Sequence, residues 1–125
     1  IQLQQIFYRM TKYFIENFNT ANFLTEALYH SKAASYFTNY RVQHFIFVRT
    51  LIEQAQREGD ICSDMNSYEI YTTLQSILIQ PIIIKNNILQ QHKNEPLMDK
   101  LKLIDVSSES SLQKRLRVAF KGLRP

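Results

Sequence analysis

Residues 51–78 read LIEQAQREGDICSDMNSYEIYTTLQSIL, and this stretch decides the fold class. Leu51, Ile52 and Ala55 continue an apolar rhythm of threes and fours, which stops at Gly59. A glycine just past the last periodic residue can take the left-handed backbone that ends a helix, because it has no Cβ to clash. The polar run Asp60 to Asn66 then forms a turn, and Asn66 with Glu69 three residues later has the form of a capping box. Two amphipathic helices joined by an acidic turn are therefore expected at the centre of the chain.

Upstream, the helix that ends at Glu58 is expected to begin near Ser35. Ala34, Phe37, Phe45, Val48, Ile52 and Ala55 line one face, while Tyr36, Tyr40, Phe47 and Leu51 widen the apolar sector. So wide a sector calls for neighbours on two sides. Further back, Leu3, Ile6, Phe7, Met10, Tyr13, Phe14 and Phe18 recur at helical spacing from the first residues onward. No capping side chain or initiator methionine precedes this stripe, so the first helix is expected to start in residues upstream of Ile1. Asn19, Thr20 and Asn22 make a polar break, and Phe23, Leu24, Ala27 and Leu28 suggest a short second helix ending near His30.

Downstream, the capped helix is expected to run from residue 66 to about residue 91 with a kink at Pro81, whose ring removes an amide donor and crowds the Ile77 carbonyl. It carries two apolar seams: Ile70, Leu74, Ile77, Pro81, Ile84 and Ile88 on one, Tyr71, Leu78, Ile82 and Leu89 on the other. One seam can serve the chain's own core, which leaves the other for a second subunit. Residues 92–96 read as a connection, Leu97 to Ile104 as a short helical piece, and Ser107 to Ser111 as a cap for a last helix striped by Leu112, Leu116, Ala119, Phe120 and Leu123. The expected dimer interface is Ile77, Ile84, Leu112, Leu116 and Phe120.

Composition agrees with an all-α bundle of about five to six helices in a single domain spanning residues 1–125. There are only two glycines and three prolines in 125 residues, too few for a turn-rich β fold. Cys62 is the sole cysteine, which excludes an intrachain disulfide and leaves a reducing, cytoplasmic setting as the expectation. Residues 1–125 show neither a charged start followed by an apolar core nor an apolar run of membrane-spanning length, so neither an export signal nor a membrane span is expected. The net charge of +4 includes Lys114, Arg115, Arg117, Lys121 and Arg124, cations that complement the end of a helix dipole and keep its outer face soluble.

The chemistry-bearing residues argue against an enzyme. His30, His44 and His92 are not spaced as metal ligands on one helical turn, two glycines cannot build a phosphate-binding loop, and no nucleophile elbow occurs. Asp60 and Asp64 sit in a turn where solvated carboxylates are ordinary. No cofactor is expected.

In its helix, glycine stop, acidic turn and capped helix, the segment resembles the C-terminal domain of the TetR family of transcriptional regulators. The matching positions are Arg57, Glu58, Gly59, Asp60, Ile61, Asp64 and Asn66. The resemblance covers most of the chain in architecture and about ten residues in motif. It implies a homodimer built on a four-helix bundle from the last two long helices of each subunit, a cavity for a small hydrophobic or aromatic effector, and repression relieved when the effector binds. It also implies that operator DNA is read by an N-terminal helix-turn-helix domain, which is missing from these residues. Met10, Phe14, Tyr40, His44, Phe47 and Tyr71 combine aromatic surface with a few polar tips and are the expected effector-binding residues. An aromatic stripe at helical spacing is core more often than cavity, and a histidine such as His44 is more often a satisfied core or boundary residue. The competing class is a free-standing helical domain that uses its basic last helix on nucleic acid or protein.

Overall fold

The computed structural model describes residues 2–16, 31–92 and 95–125, with the backbone alone for residues 31–41. Six helices form among the described residues: α1 (Gln2–Glu16), α2 (Ser31–Arg57), α3 (Ser67–Leu78), α4 (Gln80–Gln91), α5 (Leu97–Leu103) and α6 (Glu109–Gly122). The protein is all-helical. Phe18 and the short helix expected before His30 lie outside the described residues.

Helix α2 ends as its glycine dictates. Gly59 has φ +77°, its amide donates to Gln56 O at 3.1 Å, and the Asp60 amide reaches back to Ala55 O at 2.9 Å. This pair of bonds is a Schellman closure, which satisfies carbonyls the helix would leave open. The chain then drops Ile61 into the core at 1% exposure, while the Gln56 amide donates to Cys62 O at 3.1 Å and Met65 O at 2.7 Å. The Cys62 amide donates to Leu123 O at 2.7 Å, so the turn also fastens the end of α6. Asn66 caps α3 as expected: its side chain accepts from the Glu69 amide at 2.8 Å, and Glu69 Oε1 accepts from the Asn66 amide at 3.2 Å.

The helix expected over residues 66–91 is two helices. Pro81 cannot donate to Ile77 O, and Ile79 (φ −104°, ψ −43°) serves at once as the C-cap of α3 and the N-cap of α4. The proline then sits in the first turn of α4, where its missing amide costs nothing. Arg115 of α6 crosses to this break and donates from Nη2 to Leu78 O at 3.1 Å, with Nη1 held by Ser111 Oγ at 2.6 Å.

The core lies between α1, α2, α3 and α6. Ile70 and Leu74 of α3 and Val48 and Ile52 of α2 are fully buried, each gaining about 1.5–3 kcal/mol from leaving water. From α6 come Leu112, Leu116, Ala119 and Phe120, and the Phe120 ring meets Phe7 of α1 edge-on at 6.4 Å. Helix α1 is rotated from the expected stripe: it buries Leu3, Phe7 and Thr11, while Tyr13 is 66% exposed and Met10 and Phe14 are half-buried. Thr11 tolerates burial because its hydroxyl donates to Phe7 O on its own helix at 2.8 Å.

A second polar set fixes the start of α6. Ser108 caps it by accepting from the Ser111 amide at 3.1 Å, and the Asp105 carboxylate accepts from the Ser107 and Ser108 amides at 3.0 Å and from the Ser108 hydroxyl. Those donors, the hydroxyl foremost, hold the Asp105 carboxyl below its ordinary 3.8.

Three outcomes are expected. Gly59→Ala destabilises by about 1–2 kcal/mol through its positive φ, although a Cβ there meets nothing within 4 Å. Gly122→Ala, at the end of α6 with equal room, is neutral or stabilising by up to about 1 kcal/mol, and thermal melts compare the two. Asp105→Ala lowers the melting temperature at neutral pH. A carboxyl depressed in the folded state stabilises above its unfolded value and loses that contribution as pH falls through the folded one, so the gap to wild type narrows in melts taken below pH 3.8.

Candidate ligand and dimer surfaces

Helices α2 and α3 bring together two of the expected effector residues from opposite sides of the Gly59 turn. His44 Nδ1 and the Tyr71 hydroxyl are 2.6 Å apart, 27 positions apart in sequence, with ring centroids at 5.6 Å. The hydroxyl donates when the imidazole proton is on Nε2. Phe45 packs against Tyr71 at 5.3 Å and meets Tyr68 edge-on at 5.7 Å, so the polar pair sits at the rim of an aromatic group. Tyr71 is 7% exposed and His44 is half-buried.

The other expected effector residues scatter. Met10 and Phe14 are half-buried on α1, and Met10 packs against the main core. Phe47 departs from the expectation: it is 65% exposed, because the face of α2 that packs is set by Val48, Ile52 and Ala55, and residue 47 projects away from it. The Tyr40 side chain lies outside the described residues. A shallow groove of about 260 Å³, including open solvent, runs between α1 and the end of α2, lined by Leu3, Ile6, Leu51 and Ala55 with Gln54 and Glu58. None of the expected effector residues lines it.

The expected dimer residues divide in a different way. Leu112, Leu116 and Phe120 are 1%, 1% and 7% exposed in the chain's own core, so they have almost no surface left for a second subunit. The expectation assumed that a narrow stripe on α6 faces outward. It faces inward because α6 has α1 on one side and α3 on the other, and both press on the same stripe. Ile77 is half-buried against the core, and Ile84 on α4 is 50% exposed. Of the five, Ile84 keeps the most surface for a partner.

Sequence reading passed over the polar groups that lock this arrangement. The Arg115 guanidinium is half-buried; burial pushes its pKa down, and Asp105 nearby raises it. Tyr8 donates to Glu109 Oε1 at 2.6 Å, joining α1 to the first turn of α6, and this bond leads the effects that hold the Glu109 carboxyl below its usual range. Only the position of Arg115 between Leu112 and Leu116 hinted that it flanks a buried stripe. The outer face of α6 shows Lys114, Arg117 and Lys121 to solvent around Val118 at 62% exposure, and Arg124 is exposed just past the helix end.

Among the described residues no three of His, Cys, Asp and Glu are grouped to hold a metal ion, and no helix is long and apolar enough to cross a membrane. Because Leu116 is a core residue, Leu116→Ala is expected to lower unfolding stability by about 2–5 kcal/mol whatever the protein concentration, as read from urea melts at two concentrations. An interface residue would instead give a loss that depends on concentration. No family model, curated protein or solved structure matches this chain.

Proposed function

We propose that the chain is the effector-sensing and dimerisation domain of a TetR-like transcriptional regulator, one that releases DNA when a small hydrophobic or aromatic ligand binds. The observation that carries the reading is the His44–Tyr71 pair, which puts a polar tip among aromatic rings where α2 and α3 meet. It lies on the same helix, glycine stop and capped-helix unit that carries the family resemblance. A ligand seated there touches both helices that flank the turn, and a ligand that prefers one packing of α2 on α3 shifts the population of that packing. DNA contact belongs, in this reading, to a helix-turn-helix outside these residues, in a cytoplasmic protein.

The basic face of α6 supports a second reading, a helical domain that binds nucleic acid through Lys114, Arg117, Lys121 and Arg124. Two measurements separate them. A panel of aromatic and hydrophobic small molecules is expected to include ligands that raise the melting temperature, by an amount equivalent to about 2.7 kcal/mol at a hundredfold excess over Kd. His44→Leu weakens that shift, whereas Phe47→Ala, at an exposed position, leaves it unchanged. Titration with duplex DNA at physiological salt is expected to show no sequence-specific binding by the 125-residue chain. Specific nanomolar binding, or a ligand shift indifferent to His44, overturns the sensor reading.

A further inference from the structure

The groove between the start of α1 and the end of α2 has an apolar floor and an acidic border. Leu3 and Ala55 of the floor are buried, while Ile6 and Leu51 are half-buried and carry its apolar surface out to water. Glu58 and Asp60 line the same groove. Residue 58 follows 51, 54 and 55 at helical spacing on one face of α2, and the bond from the Asp60 amide to Ala55 O returns the chain so that Asp60 stands beside them. The Gln54 side-chain amide donates to Glu58 Oε1 at 3.0 Å and holds that carboxylate at the border. Both carboxylates are exposed. Among the described residues neither has an ion-pair partner, and no Lys, Arg or His lines the groove, although the chain as a whole carries a net charge of +4.

We infer that this groove docks an arginine side chain from a basic peptide segment of another protein, with its methylene stem on Leu3, Ile6, Leu51 and Ala55 and its guanidinium at Glu58 and Asp60. Size argues for a single side chain. Sites for drug-sized ligands span about 300–1,000 Å³ and enclose most of the ligand, whereas this groove holds about 260 Å³ with open solvent included. Charge argues for a cation, because an apolar side chain covers the floor but strips water from two carboxylates without replacing it. Arginine meets both demands. Its stem lies along apolar surface while its head stays in water, and its planar, weakly hydrated guanidinium carries five donors suited to carboxylates. The groove is separate from the His44–Tyr71 pair, so the inference holds or fails independently of the sensor reading.

Two-dimensional amide NMR spectra of the full 125-residue chain, titrated with N-acetyl-arginine amide, test this. The amides of Leu3, Ile6, Leu51, Ala55, Glu58 and Asp60 are expected to shift together, with a dissociation constant on the order of millimolar. N-acetyl-citrulline amide has the same length and shape without the charge, and it is expected to bind about three- to thirtyfold more weakly, the range that two exposed ion pairs provide. Glu58→Gln combined with Asp60→Asn weakens arginine binding by the same factor and leaves citrulline unaffected, whereas Glu16→Gln, at the far end of α1, changes neither. The citrulline comparison needs no variant and so decides the matter should the double substitution disturb the fold. Citrulline or N-acetyl-leucine amide binding as well as arginine makes the occupant a neutral side chain and overturns the inference. Undiminished arginine binding by the double variant, or no shift at these residues at about 50 mM probe, overturns it as well. Self-association of the chain that the double variant abolishes identifies the occupant as a second copy, and this too overturns it.

Discussion

Helix α3 is 12 residues long and is packed on two sides, by α2 and by α6. Ile70 and Leu74 are wholly buried between them, and Tyr71 and Leu78 nearly so, which leaves this short helix with almost no freedom to turn about its axis. Close packing makes such a position unforgiving, since a shift of either neighbour opens space that nothing else fills. Helices α2, α4 and α6 all pack on α3. The Gly59 turn sets where α2 lies against it, the Cys62–Leu123 bond sets where α6 ends beside it, and α1 is added over α2 and α6.

Among the described residues, polar groups close the end of α2 and the starts of α3 and α6, and a donor reaches the break that ends α3. Asn66 and Glu69 close the start of α3, and Arg115 reaches Leu78 O where the helix breaks. A carbonyl freed at a break inside a packed body costs about 1–3 kcal/mol if it finds no donor. Arg115 supplies one from a different helix, so the same contact ties α6 to the point at which α4 departs. Among the described residues no acceptor faces its buried Nε, so its protein hydrogen bonds run through Nη1 and Nη2.

The packing distinguishes a main body of α1, α2, α3 and α6 from an appended arm of α4 and α5. In the body, apolar side chains from four helices meet in one cluster, and the candidate ligand pair His44 and Tyr71 sits where two of those helices join. In the arm, two buried residues hold two short helices.

The helices and their ends were legible in the sequence because their causes are local. The left-handed glycine at 59, the capping box at 66 and 69 and the serine cap before α6 each depend on a few neighbouring residues, as does the disruption at Pro81, which was expected as a kink in one helix and is a break between two. Periodicity likewise picked out Val48, Ile52, Ile70, Leu74, Leu112 and Leu116 as apolar positions that must be covered. What covers them is decided by packing between elements distant in sequence, and there the local pattern is silent. An apolar stripe looks alike whether its neighbour is the same chain or another copy, so only the tertiary structure placed Leu112, Leu116 and Phe120 inside the subunit, turned Phe47 outward and left the apolar surface on α4 and α5. The same holds for Arg115, Gln56 and Thr11, polar side chains whose burial is permitted by acceptors that become available only once the helices are in contact or formed.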